Sequence, residues 1–163
     1  MKNPMKERLL KRIKTDTICT KVVTIVVGII TGFIAIDFVT SLIKKNLGIE
    51  ASSIILGNLV RASLLLAVFI ILSKFMSDIA AKGKPFTLKN ISRLRSIAII
   101  TIVCSCLPEV VSCIFVLSNS VKAFTLTFTL VNGILMFMGV VIGIVSEVFR
   151  YGYELEEEMD SIA

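Results

Sequence analysis

The side chains of this chain most able to do chemistry are ionisable or amide groups inside long apolar runs. Asp37, Arg61, Glu109 and Asn132 each lie within a different run. Ionisable residues in membrane-spanning helices usually face the protein interior and find partners there. Counted at 1.5 Å per residue from one end of each run, the four residues lie about 9, 10, 12 and 12 Å deep. The sequence therefore predicts one polar layer to which four helices each contribute a side chain.

This predicted layer has two interpretations. It can be a pocket open to the outside that holds a small polar, cationic or amphipathic ligand. Two acids against one arginine make the layer net negative, which favours binding a cation or protonating one acid, with Glu109 the better candidate. Alternatively, Arg61 bridges Asp37 and Glu109 and only fixes the register of the helices. Both interpretations stay open from the sequence.

The four apolar runs determine the fold class. Each is close to the roughly 20 residues that a helix needs to cross a hydrocarbon core about 30 Å thick. The chain has 163 residues and is 55% hydrophobic, which leaves little for a soluble domain. We predict an all-α integral membrane four-helix bundle that forms a single domain over residues 1–163. The predicted spans are 22–43, 54–75, 97–117 and 124–148.

The basic residues predict the orientation. Seven Lys and Arg precede the first span, six lie around the connection between spans two and three, and the other two connections hold three. By the positive-inside rule, both termini and the central connection are cytoplasmic. Basic segments also bind anionic lipid, at about 1 kcal/mol per residue. The net charge of +6 is thus explained by the lipid bilayer as partner, and no direct nucleic-acid binding is predicted.

The two ends of the chain differ in charge. Residues 1–21 read as a basic helix lying on the membrane surface. Residues 149–163 form an acidic tail with five acids among the last ten residues. If this tail is helical, Tyr151, Leu155, Met159 and Ile162 form one apolar stripe surrounded by acids.

Catalytic groups are scarce. The chain has no histidine, and its four cysteines contain no C-x-x-C pair. The commonest general base and metal ligand is therefore missing. We predict no enzymatic activity, no cofactor and no metal.

Two stretches carry a family resemblance. The first is a G-x-P-F-T…N…R-L-R pattern around the central connection, formed by Gly83, Pro85, Phe86, Thr87, Asn90, Arg93 and Arg95. The second is a G-x-x-L-x-E-x-x-D pattern in the tail, formed by Gly152, Leu155, Glu157 and Asp160. Together they resemble a family of small bacterial four-span membrane proteins of unknown function, often encoded beside a Cro/CI-type helix-turn-helix regulator. The resemblance implies a bacterial cytoplasmic membrane location and a cytosolic DNA-binding partner.

The patterned residues also have two interpretations. Gly83 and Pro85 can form a tight turn, Phe86 can anchor at the membrane edge, and Thr87 or Asn90 can cap the next helix. Alternatively, the central connection and the tail, including Met159, form a docking surface for a partner.

Two functions follow as hypotheses. The first is a non-enzymatic membrane sensor or anchor, with the polar layer as its input and the docking surface as its output. The alternative is a small transporter or transporter subunit that uses the polar layer. Because four spans are few for a transport pathway, it would work as a homo-oligomer.

Overall fold

Four long helices make up the part of the chain that the structure, a computed structural model, describes. That part comprises residues 4–44, 48–83, 86–119 and 129–162. The helices are α1 (Pro4–Lys44), α2 (Ile49–Lys82), α3 (Leu88–Ser118) and α4 (Leu130–Ile162). The all-helical prediction is confirmed for these residues.

Each helix contains a segment long and apolar enough to cross a membrane. These segments are 33, 33, 31 and 32 residues long. At 1.5 Å per residue they measure about 45 to 50 Å, more than the roughly 30 Å of a hydrocarbon core. The described residues thus contain four helices that are long and apolar enough to span a membrane, each longer than the hydrocarbon core requires.

The helix ends near the central connection follow the sequence closely. Gly83 ends α2 in the left-handed conformation (φ 65°), where a residue with a side chain would be strained, and its N–H donates to Ile79 O at 2.9 Å. Thr87 caps α3 because its hydroxyl accepts from the N–H of Asn90 at 3.3 Å. The predicted cap at Thr87 is confirmed. The turn predicted for Gly83 and Pro85 stays a prediction, because Pro85 lies outside the described residues.

Two predicted boundaries differ from the structure. The basic segment 1–21 was predicted to be separate from the first span, yet α1 runs without a break from Pro4 to Lys44. Its placement on a membrane surface stays a prediction. The fourth span was predicted from Phe124, which lies outside the described residues, whereas α4 begins at Leu130, so Asn132 is in its first turn.

Among the described residues, close backbone packing joins only helices that are consecutive in the chain. Contacts of Thr17 with Met76 and of Thr31 with Ala62 show that α1 and α2 are antiparallel. Helix α3 packs between α2 and α4, whereas α1 packs on α2 alone. The bundle therefore consists of a three-helix core, α2 to α4, with α1 laid along one side of it.

Two glycines allow the core helices to approach closely. A Cβ on Gly139 of α4 would lie 2.5 Å from Cγ1 of Ile102 and 3.0 Å from the carbonyl oxygen of Ala98 in α3. A Cβ on Gly57 of α2 would lie 3.3 Å from the carbonyl oxygen of Pro108, and closer still to the hydroxyl of Ser112. Small residues at helix contacts are how membrane bundles bring backbones together.

Candidate functional site

Three of the four predicted layer residues form a closed hydrogen-bonded triangle, which we call the polar cluster: Arg61, Glu109 and Asn132. Nη2 of Arg61 donates to Oε1 of Glu109 at 2.8 Å and to Oδ1 of Asn132 at 3.0 Å. Nδ2 of Asn132 closes the triangle by donating to the same Oε1 at 3.2 Å. The polar cluster thus ties α2, α3 and α4 together and balances one positive charge with one negative charge.

Local packing explains why the polar cluster forms where it does. Glu109 follows Pro108, whose backbone lies against Gly57 one turn from Arg61. Asn132 is fully buried in the first turn of α4. Buried polar groups in lipid need hydrogen-bond partners, and each of these three residues supplies donors or acceptors to the other two. Nε of Arg61 is the exception, because it is buried and has no hydrogen-bond partner among the described residues.

Asp37, the fourth predicted layer residue, does not join the polar cluster. Its carboxylate is exposed and makes no hydrogen bond or ion pair within the part of the chain that the structure describes. The predicted bridge from Asp37 through Arg61 to Glu109 is therefore wrong. Arg61 instead bridges Glu109 and Asn132, and among the described residues α1 packs closely on α2 only.

Asp37 does share a cavity with Arg61. This α1–α2 cavity has a volume of about 520 Å³ and is lined by Ile34, Asp37, Thr40, Ile55, Asn58, Arg61, Ala62 and Leu65. That volume falls within the range of pockets that hold small molecules, roughly 300 to 1,000 Å³. One wall is apolar, whereas Asp37, Thr40, Asn58 and Arg61 add polar groups. The structure thus divides the predicted layer into a closed cluster and an open cavity, with Arg61 at the border.

Sequence reasoning missed two of the polar residues that line this cavity. Thr40 follows Asp37 by three residues, and Asn58 precedes Arg61 by three. Residues three apart share a helix face. The spacing therefore contained a signal that could have identified both.

A second missed feature lies along the contact of α1 with α2. Thr17, Thr24 and Thr31 recur every seven residues, and their hydroxyls lie 3.4, 3.3 and 3.5 Å from carbonyl oxygens of α2. Each hydroxyl also has a shorter bond, 2.7 to 2.8 Å, to the carbonyl one turn earlier in α1. A hydroxyl has a single hydrogen, so the contacts across the interface are the weaker ones. Seven-residue recurrence is typical of a helix seam and could have been read from the sequence.

At the opposite end of the bundle, the two patterned stretches contact each other. The ring of Phe86 lies edge-on to that of Phe149 at 5.1 Å, and Phe149 lies 6.3 Å from Phe75 of α2. A Cβ on Gly152 would lie 3.1 Å from the Phe86 ring, so the glycine makes room for it. Phe86 and Gly152, predicted as docking residues, therefore pack against each other and join the central connection to α4.

Several other predicted docking residues also have internal partners. Arg93 bonds Oδ2 of Asp78 at 2.5 Å and the carbonyl of Lys74 at 3.2 Å, which ties α3 to α2. Asn90 is buried. Arg95 pairs with Glu147 of α4 at 3.2 Å on an exposed surface. These contacts support the structural interpretation of the first pattern.

The tail residues behave differently. Helix α4 continues to Ile162, which confirms the helical interpretation of the tail. Tyr151, Leu155 and Met159 are 63%, 42% and 72% exposed, and we call these three residues the tail stripe. Glu157 and Asp160 line a shallow cavity of about 340 Å³ beside Phe86 and Thr87. The predicted docking residues Leu155, Glu157, Met159 and Asp160 are thus exposed and available to a partner.

The described residues thus form a three-helix core, an added first helix and an exposed acidic end, with all four helices long and apolar enough to span a membrane. The sequence model of a family described as a protein of unknown function (DUF2975) matches residues 48–162. The chain belongs to that family. The matched region begins beside α2 and ends with α4, so it corresponds to the three-helix core. Neither the curated proteins nor the solved structures contain a match to this chain.

Proposed function

We propose that this protein is a non-enzymatic membrane sensor or anchor that binds a cytosolic DNA-binding regulator through the end of α4. The observation that carries the proposal is the tail stripe. Three large apolar side chains are exposed on a helix whose other faces are acidic, at the end of the chain predicted to be cytoplasmic. Apolar residues at i, i+4 and i+8 fall along one face of a helix, and an apolar helix face is what binds in a partner's groove.

The resemblance stated above supports the identity of the partner. That resemblance implies that such proteins are often encoded beside a Cro/CI-type helix-turn-helix regulator. A membrane protein that binds such a regulator keeps it away from DNA until the complex dissociates. The acidic residues around the tail stripe suit a regulator whose binding surface is basic.

The polar cluster and the tail stripe lie on one continuous helix, which supports a link between input and output. Asn132 holds the first turn of α4 to α2 and α3. Phe149 holds the same helix to Phe86 and Phe75 where the tail begins. A ligand that altered packing around Arg61 would therefore act on the helix that presents the tail stripe.

The test is affinity capture of the full-length protein from cells, with bound proteins identified by mass spectrometry. Met159→Glu adds one charge within the tail stripe, and Ser161→Glu adds one charge to the same tail outside it. We expect the wild type and Ser161→Glu to recover a helix-turn-helix regulator and Met159→Glu to lose it. Recovery of no DNA-binding protein by any form, or equal recovery by all three, would remove the basis of the proposal.

A small transporter or transporter subunit is the second candidate, and the α1–α2 cavity favours it. A cavity with charged residues on membrane-spanning helices is where transport substrates bind. Vesicles containing the purified protein would then show solute or proton flux that Glu109→Gln reduces. Equal flux in wild type, Glu109→Gln and empty vesicles would exclude this candidate.

A further inference from the structure

We infer that the α1–α2 cavity is a binding site for a monovalent organic cation with an apolar body, and that Asp37 is the residue that selects its charge. The inference deepens the proposed function by naming the ligand class at the input. It rests on that function only for its signalling consequence, because binding can be measured without any regulator.

The charge of the cavity is the first step. Two ionised side chains line it, and they differ in their partners. The guanidinium of Arg61 is matched by the carboxylate of Glu109 at 2.8 Å. The carboxylate of Asp37 has no ion pair among the described residues. The three charged groups together therefore leave one negative charge, and it resides on the α1 side of the cavity.

The second step is the free-energy cost of placing the Asp37 carboxylate in an apolar segment. An ionised acid within a membrane-spanning helix raises the free energy, so it almost always faces a partner or water. Asp37 lies about two turns before the end of α1 at Lys44, which places it inside the apolar segment. A cation bound in the cavity would supply the missing partner. An opposite charge within about 4 to 6 Å stabilises the ionised carboxylate.

The shape and polarity of the walls decide which kind of cation fits. Ile34, Ile55, Ala62 and Leu65 form an apolar wall. The hydroxyl of Thr40 and the amide of Asn58 lie on the same helix faces as Asp37 and Arg61, three residues away in each case. A bare metal ion would need several oxygen ligands around it, whereas this wall is mostly carbon. An ammonium or phosphonium group with hydrocarbon substituents matches both the charge and the apolar wall.

The test measures binding of radiolabelled tetraphenylphosphonium to the purified full-length protein in lipid nanodiscs. Tetraphenylborate, which has nearly the same shape and the opposite charge, is the matched probe. We expect saturable binding of the cation and none of the anion. Saturable binding of the anion instead would show that Arg61, and not Asp37, selects the charge of the ligand, and it would overturn the inference.

Two variants and one control locate the site. Asp37→Asn removes the charge without changing the shape of the side chain, and we expect its affinity for tetraphenylphosphonium to fall at least tenfold. Ala62→Phe fills the cavity from the opposite helix, and we expect the same loss. Asp16→Asn makes the same change at an exposed position of α1 away from the cavity, and it should bind like the wild type. Circular dichroism of each variant in nanodiscs checks that its helices are intact.

The outcomes separate this inference from the proposed function. Absence of saturable cation binding in the wild type, or equal affinity in wild type and Asp37→Asn, overturns the inference. Neither result changes the capture of a regulator by the tail stripe, which is measured independently. Conversely, cation binding without regulator capture upholds this site and overturns only the proposed output.

Discussion

The contact of α1 with α2 and the contacts within the three-helix core depend on different kinds of residue. In the core, glycines bring backbones together and a closed polar cluster links three helices. Along α1, threonine hydroxyls lie 3.3 to 3.5 Å from the carbonyls of α2, and an acid has no ion pair among the described residues. The family match covers the core and leaves α1 outside it. The comparison indicates a core in which a closed polar cluster links three helices, and a first helix whose hydroxyl contacts with α2 are long.

The largest difference is expected between two glycine substitutions. Gly139→Val places a side chain where Ile102 and the backbone of α3 already lie, whereas a Cβ on Gly32 of α1 meets nothing within 4 Å. We expect Gly139→Val to lower the free energy of unfolding by about 3 kcal/mol. Gly32→Val should change it by less than about 0.5 kcal/mol. Unfolding in mixed micelles by SDS titration, followed by circular dichroism, measures both, and equal losses would contradict the comparison.

The two membrane acids provide the second prediction. Glu109→Gln leaves Arg61 without its counter-charge, and breaking a buried ion pair costs roughly 3 to 5 kcal/mol. Both side chains keep about a fifth of their exposure, 21% and 23%, so we expect a smaller loss. A loss of about 2 kcal/mol is the expected value. The same SDS titration should show no loss for Asp37→Asn, whose carboxylate has no partner among the described residues to lose.

The aromatic contact at the far end of the core should have an intermediate effect. Phe86→Ala removes the edge-on contact with Phe149 and leaves space beside Gly152. We expect a loss of about 1 to 2 kcal/mol, below that of a fully buried phenylalanine because Phe86 is only half-buried. Leu155→Ala removes an exposed apolar side chain from the same region and should leave stability unchanged. A loss for Leu155→Ala as large as for Phe86→Ala would show that the tail stripe is packed.

The smallest effect is expected along α1. Thr24→Val keeps the shape of the side chain and removes its hydroxyl, whose shorter bond at 2.7 Å stays within α1. Hydrogen bonds between membrane helices average about 0.6 kcal/mol, and this contact is longer than most. We expect a change below about 0.6 kcal/mol in the SDS titration. A larger loss of stability would show that the hydroxyls of Thr17, Thr24 and Thr31 bind α1 to α2 more strongly than their distances indicate.

The fold was largely predictable because lipid imposes a strict rule on sequence. Apolar runs of sufficient length specify helices, and Gly83 and Thr87 marked the boundaries of α2 and α3 correctly. The continuity of α1 was not predicted, because a change in composition near Lys21 does not require a change in backbone conformation. The composition of a segment indicates whether lipid or water surrounds it more reliably than it indicates where a helix ends.

The site was predictable only in part, because the depth of a residue along a helix does not indicate which neighbouring helix its side chain faces. Arg61, Glu109 and Asn132 meet, whereas Asp37, at a similar predicted depth, shares a cavity with Arg61 but makes no hydrogen bond or ion pair with it. The outcome depended on which helices are neighbours, and nothing in the four runs revealed that, among the described residues, α1 packs closely on α2 only. The contact of Phe86 with Gly152 was equally hidden, since it joins residues far apart in the chain.

The unbroken course of α4 has a mechanical consequence. From Asn132 to Ser161 the helix extends about 45 Å, with its first turn held by the polar cluster. Because Gly139 and Phe149 also hold α4 against the core, the helix would move as one rigid body with its neighbours, and a tilt of about 5° would displace its far end by about 4 Å over that length. Such a displacement is comparable to the width of a side chain, large enough to seat or unseat Met159 in a groove. In the function proposed above, a tilt of this size would be the movement that a bound regulator detects.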